Sequence, residues 1–245
     1  MNKKLFLILF AFLLITSLSV NTSSFATTSE DPVSYEDDKY QIVKSYAANV
    51  TSVPVSDIAS LAQTRIMNSE TGEVMEATIK SSSTQKLYDL VNMTTGQQAE
   101  HFRTDFEIFA DFQSSDNSSD KTGGITFYET IYYTSVQDSA FYDYVSINKV
   151  NYRFEKNSSG SSYSISNRKM DIHQNGMGID GYPKSNQTKS GLSLIGSGTG
   201  TILPREYGWT PVNHPALASR VGTKTTATIS NGSSSWDFSF SMNPR

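Results

Sequence analysis

Past about residue 64 the chain alternates between apolar and polar positions with a period of two. In "HFRTDFEIFADF" (101–112), Phe102, Phe106, Ile108, Ala110 and Phe112 share one side of an extended chain. Arg103, Asp105, Glu107 and Asp111 share the other, and Phe109 alone breaks the pattern. This is the signature of a strand with one buried and one solvated face. "TRIMNSETGEVMEATIK" (64–80) reads as a hairpin turning at Glu70-Thr71-Gly72. "ITFYETIYYTSV" (125–136) is dense in the β-branched and aromatic residues that fit a pleated surface. In "VNYRFEKNSSGSSYSIS" (150–166), Val150, Tyr152 and Phe154 share a face and a Ser/Gly loop leads to Tyr163 and Ile165, a second hairpin. Near the C-terminus Ala227 and Ile229 lead into an Asn231-Gly232 turn, and Trp236, Phe238, Phe240 and Met242 return on one face. A closing strand this regular is expected in the middle of a sheet.

The earlier part is less periodic. Residues 27–40 are acidic and polar and read as a loose arm. Over 41–63 the pattern is ambiguous, and "SDIASLAQ" (56–63), with Ser56 and Asp57 as candidate caps, could form a short helix. The stretch 114–124 cannot bury anything and reads as a loop. In sum, eight to eleven strands with at most one or two short helices predict an all-β fold, an antiparallel β-sandwich or flattened barrel, as a single domain over 41–245. No period of 20–50 residues recurs, which argues against a solenoid or propeller.

The first 26 residues change the picture of where this fold works. Lys3 and Lys4 precede an apolar run from Leu5 to about Leu14, and small residues follow up to Ser24-Phe25-Ala26. That is the layout of a secretory signal peptide cleaved after Ala26. The run is shorter than the roughly 20 residues of a membrane span, so no transmembrane segment is expected in the mature chain. "WDFSFSMNPR" at the end carries no hydrophobic tail, and a released extracellular protein, of Gram-positive bacterial style, is the expectation.

Charge and cysteine content then exclude several classes. The chain has 20 Lys and Arg against 24 Asp and Glu, a net charge of −4. Removing the leader takes two lysines, leaving 18 against 24 and a net charge of −6. With no basic run after Lys4, nucleic acid is not an expected partner. There is no cysteine, so disulfides, thiol chemistry and zinc–thiolate sites are excluded.

Two segments hold candidate chemistry. In "KMDIHQNGMGIDGYP" (169–183), Met170, Ile172 and Gln174 face one way on a strand, and Asp171, His173 and Asn175 the other. Asp171 and His173 could form an acid–base pair, or share a metal with Asp180, His101 or His214 as a third ligand. The plainer reading is a strand end running into a turn, with Met170 and Ile172 packed inward and the polar residues in water. The second segment, "REYGWTPVNHP" (205–215), offers Tyr207, Trp209 and His214 on a proline-bounded loop. Exposed aromatics on such a loop serve sugar or peptide recognition, and the alternative is that Tyr207 and Trp209 cap the core.

Gly196, Gly198 and Gly200 match neither a dinucleotide nor a P-loop pattern. No Gly-x-Ser-x-Gly elbow or His-Glu-x-x-His helix is present. Glu129, in the middle of an aromatic strand, is a candidate for a motif-free carboxylate-pair hydrolase, although an outward-facing surface acid is the expectation.

The reading that follows is a secreted binding protein, with no cofactor, no assigned catalytic residue and no metal. It would contact a cell-surface glycan, peptide or protein through Tyr207, Trp209, His214, Asp171 and His173. A motif-free extracellular hydrolase and a toxin or bacteriocin-like protein acting on membranes are the alternatives.

Overall fold

A computed structural model of the chain describes residues 39–46, 51–52, 62–75, 77–111, 124–156, 162–195, 198–214 and 218–244. The leader, nearly all of the 27–40 arm, the 114–123 loop and most of the 56–63 segment lie outside these. Tyr40, the last residue of the proposed arm, already begins the first strand, and Ala62 and Gln63, the end of the segment read above as ambiguous with a candidate short helix, begin the third.

The strands are β1 (Tyr40–Ser45), β2 (Thr51–Ser52), β3 (Ala62–Asn68), β4 (Val74–Met75), β5 (Thr78–Asn92) and β6 (Gln98–Asp111). Next come β7 (Gly124–Gln137), β8 (Asp143–Lys156), β9 (Ser164–Met177), β10 (Pro183–Lys184) and β11 (Thr188–Ser193). Last are β12 (Thr199–Ile202), β13 (Val212–Asn213), β14 (Arg220–Asn231) and β15 (Ser234–Met242), with a 3-10 turn at Pro204–Tyr207 after β12. Among the described residues no helix is long and apolar enough to cross a membrane.

All pairings are antiparallel and fall into two sheets, one of them curled into a half-barrel, so the all-β expectation holds. The first sheet has the order β1-β5-β6-β7-β8-β12, with β2 beside β5 and β13 beside β8. The second runs β10-β9-β14-β15-β3-β4, with β11 beside β9. The C-terminal strand β15 lies between β14 and β3, in the interior of its sheet.

Two predicted hairpins are corrected. The 64–80 segment does turn at Glu70–Gly72, where Asn68 Oδ1 accepts from the amides of Glu70 and Thr71 and Gly72 takes φ +72°. Its return strand, however, is only the two-residue β4, and Thr78–Lys80 belong to β5 in the other sheet. Likewise β8 and β9 do not pair with each other but stand in opposite sheets. Alternation identifies a strand and its buried side; it carries no information about which sheet receives that side.

The sheets meet through the faces that the alternation marks. Phe106, Ile108, Phe127, Ile131, Val150 and Phe154 from the first sheet pack against Ile66, Met170, Ile172, Ile229, Phe238 and Phe240 from the second, all buried. Phe127 is the centre of the aromatic packing, with Phe154, Phe238 and Phe240 at 4.5, 5.5 and 5.7 Å between ring centroids. Edge-on and tilted contacts of this kind place ring edges against neighbouring faces. β7 is buried on both sides: besides its inward residues, Tyr132, Thr134 and Val136 are buried on the outer face. That accounts for its almost unbroken run of β-branched and aromatic residues.

One seam of the sandwich is closed by residues 203–214, called the strap below. Val212 pairs with Val145 of β8 on one side and bridges Gly178, just past β9, on the other. The Ile179 amide donates to the Pro211 carbonyl at 3.0 Å. The segment therefore bonds to both sheets, and the expected proline-bounded loop contains a 3-10 turn and the two-residue β13.

Candidate ligand-binding face

The outward side of the second sheet carries aligned rows of polar side chains. Register places Lys169 opposite Thr226, Thr226 opposite Ser239, and Ser239 opposite Arg65, one residue from each of β9, β14, β15 and β3. Two residues along, Asp171, Lys224, Ser241 and Gln63 form a parallel row. At about 4.8 Å between strands, Lys169 and Arg65 stand roughly 14 Å apart. Between them lies a hollow of about 620 Å³ lined by Arg65, Lys169, Lys224, Thr226, Asp237 and Ser239, among others.

Among the described residues, Arg65, Lys169 and Lys224 form no ion pair. Of the two nearby carboxylates, Asp171 already accepts from the Gly191 amide at 2.7 Å. The hollow thus presents three cations and the Asp237 carboxylate with hydroxyls between them, while Phe238, also in its lining, is buried. A second hollow, of about 700 Å³, lies on the first sheet beside Lys86, Asp89 and Glu100. There Lys86 is bound by both carboxylates, Asp89 at 2.6 Å and Glu100 closer still, so the opposite charges already satisfy one another.

The residues singled out from sequence are dispersed. Met170, Ile172 and Gln174 point inward, and Asp171, His173 and Asn175 outward, as the alternation requires. His173 is nevertheless buried, at 8 % exposure, rather than in water. Its Nδ1 lies 3.3 Å from Thr188 Oγ1 on β11, which covers this edge of β9. Burial, assisted by the Arg220 charge, pushes its pKa below the usual value.

Asp180 lies in the turn beyond Met177, bonded to Lys184 Nζ at 2.7 Å and to the Tyr182 amide, which hold its carboxyl below the usual range. Seven residues past His173, it does not join Asp171 and His173 in one cluster. No group of three metal-ligating side chains occurs among the described residues.

His101 is buried on the outer side of the first sheet, at Thr134 Oγ1 (3.2 Å) and between the rings of Tyr88 and Tyr132. Burial and the Lys149 charge lower its pKa to about 4. It and His173 therefore stand on opposite outer faces. His214 is on the strap, with Nε2 2.8 Å from the Pro244 carbonyl and Nδ1 3.3 Å from Ser219 Oγ, its pKa lowered by burial.

The strap aromatics make intramolecular contacts. Trp209 is half-buried against the core, Tyr207 leans on it at 5.1 Å between ring centroids, and Lys189 Nζ lies 5.2 Å over the Tyr207 ring. Next to them the Gln187 side chain brackets Thr210, accepting from its amide at 2.6 Å and donating to its carbonyl at 2.9 Å. Gln174, fully buried, donates to the same carbonyl and accepts from the Ile147 amide at 2.8 Å. Ile147 lies in the gap between the parts of β8 that pair with β12 and β13. Its N–H has no strand partner on that side, and Gln174 satisfies it.

Glu129 is the clearest departure from expectation. It is no surface acid but points inward from β7 at 1 % exposure. Its carboxylate oxygens accept from the hydroxyls of Thr223 and Thr225 on β14 of the facing sheet. Sealed between the sheets, it has no access to a substrate.

Sequence reasoning passed over Arg65, Lys169 and Lys224. Each sits at an outward position of an alternating strand, which is the available signal. Their convergence depends on pairing among residues 65, 169, 226 and 239, and one sequence does not state it. The chain matches no family model, no curated protein and no solved structure.

Proposed function

We propose that the protein acts outside the cell by binding an acidic polysaccharide across the outer face of the β3–β15–β14–β9 sheet. The observation that carries this reading is the set of three cations, Arg65, Lys169 and Lys224, which form no ion pair among the described residues and line one hollow with hydroxyls and a single carboxylate, Asp237, in a chain whose net charge is negative. Carboxylates or other anionic groups along a sugar chain would meet the cations, and the sugar hydroxyls would meet Thr226, Ser239 and their neighbours. Among the described residues lining this hollow the one aromatic, Phe238, is buried, and this favours charged over neutral sugars, which proteins grip by stacking. The leader-like residues 1–26 support the extracellular setting.

Calorimetric titration with oligogalacturonate and, separately, with a neutral maltooligosaccharide tests this. The protein should bind the acidic chain, more weakly as salt rises. An Arg65→Ala/Lys169→Ala/Lys224→Ala variant should lose at least tenfold in affinity with unchanged thermal stability. Equal binding of the neutral sugar, or undiminished binding by the variant, overturns the reading.

A further inference from the structure

We propose that Glu129, Thr223 and Thr225 form a pH-sensitive latch between the two sheets, which supports the fold most while the carboxyl is protonated and least once it carries a buried charge. The carboxyl lies near the middle of β7, with Phe106 of β6 and Tyr152 of β8 as its register neighbours. Thr225 donates to Oε2 at 2.8 Å and Thr223 to Oε1, both across the interior from β14. The contact therefore joins the central strand of one sheet to a central strand of the other, without passing through the backbone ladder of either.

The surroundings decide how this contact responds to protons. On the inward faces around it, β6 offers Thr104 and Phe106, β8 offers Val150 and Tyr152, β9 offers Met170 and Ile172, and β15 offers Phe240 and Met242. The titratable groups among the buried core residues besides Glu129 are Tyr133, Tyr152 and Tyr163; burial raises the pKa of the first two, Tyr133 to about 12, and the Arg168 charge of β9 acts on Tyr152. His101 and His173 stand on the outer faces, and Lys224 points outward between Thr223 and Thr225. Among the described residues, no cation faces the carboxyl. A neutral carboxyl can donate to one threonine and accept from the other, satisfying all three groups. A carboxylate accepts from both but leaves a desolvated charge without a counter-ion.

Burial consequently raises the Glu129 pKa from 4.5 to about 7, against the pull of the two hydroxyls. The folded state holds this proton more tightly than the unfolded chain does. Its contribution to stability is full below about 4.5, declines as pH rises from there, and is lost above about 7. The direction is opposite to that of an ordinary salt-bridged carboxylate. The size is roughly two orders of magnitude in the folding equilibrium constant.

Urea unfolding of the protein and of Glu129→Gln between pH 4.5 and 8.5 tests the latch. The amide keeps the shape and can bond both threonines, but it does not titrate. Relative to Glu129→Gln, the parent protein should lose roughly a hundredfold in its folding constant across this window. Parallel curves for the two proteins overturn the proposal. If Glu129→Gln does not fold, carbon-13 NMR of the parent protein labelled at glutamate Cδ gives the answer directly. One carboxyl titrating near pH 7 supports the latch, and titration of every glutamate between about 4 and 5 overturns it.

Discussion

The strap at 203–214 and the outer face of the second sheet differ in how their polar groups are used. Along the strap several groups are already engaged: Thr210 is bracketed by Gln187 and Gln174, His214 reaches the Pro244 carbonyl, and Trp209 rests on the core. On the sheet face, Lys169, Lys224 and Arg65 form no ion pair among the described residues, and the space above them is open. Both regions carry charge and hydrogen-bonding capacity. The strap uses that capacity to join the two sheets along a seam; on the face the three cations form no ion pair among the described residues. Conspicuous residue types therefore do not mark a binding site by themselves. What distinguishes the two regions is whether partners inside the molecule already satisfy the groups.

Substitutions should separate the two regions in opposite senses. The largest effect on stability is expected for Gln174→Ala, which orphans the buried Ile147 amide and removes a bond to Thr210. A loss of about 2–4 kcal/mol in chemical unfolding follows from leaving such groups unsatisfied. Trp209→Ala should cost less, about 2 kcal/mol, because the ring is only half-buried. Neither change should lower affinity for oligogalacturonate at a temperature where the variant is folded. The smallest stability effect belongs to Lys224→Ala, within about 0.5 kcal/mol by thermal unfolding, although that variant should bind the acidic chain several-fold more weakly. If Trp209→Ala abolished binding while Lys224→Ala left it intact, the roles assigned to the two regions would be reversed.

Much of this architecture is written in local patterns, and the limits of that legibility are physical. Alternation in 101–112 and 225–242 identifies the strands and their buried sides because one face must leave water. It fails at Glu129, where an acid occupies an inward position. A polar residue in an alternating strand reads as outward, and only the facing Thr223 and Thr225, nearly a hundred residues away, make the inward position tolerable. The same distance problem hides the cationic face, whose rows exist only once β3, β9, β14 and β15 are in register. The strap shows the same limit. Prolines and glycines signal a loop, but Gln174 and Gln187, from outside the segment, supply the bonds that fix it.

The most direct test is an amide-resolved NMR titration of the protein with oligogalacturonate at low salt. The account predicts chemical-shift changes concentrated on the outward residues of β3, β9, β14 and β15, Arg65, Lys169, Lys224 and Thr226 above all, with the strap amides unmoved. Changes centred on Tyr207, Trp209 and His214, with the sheet face silent, would contradict it.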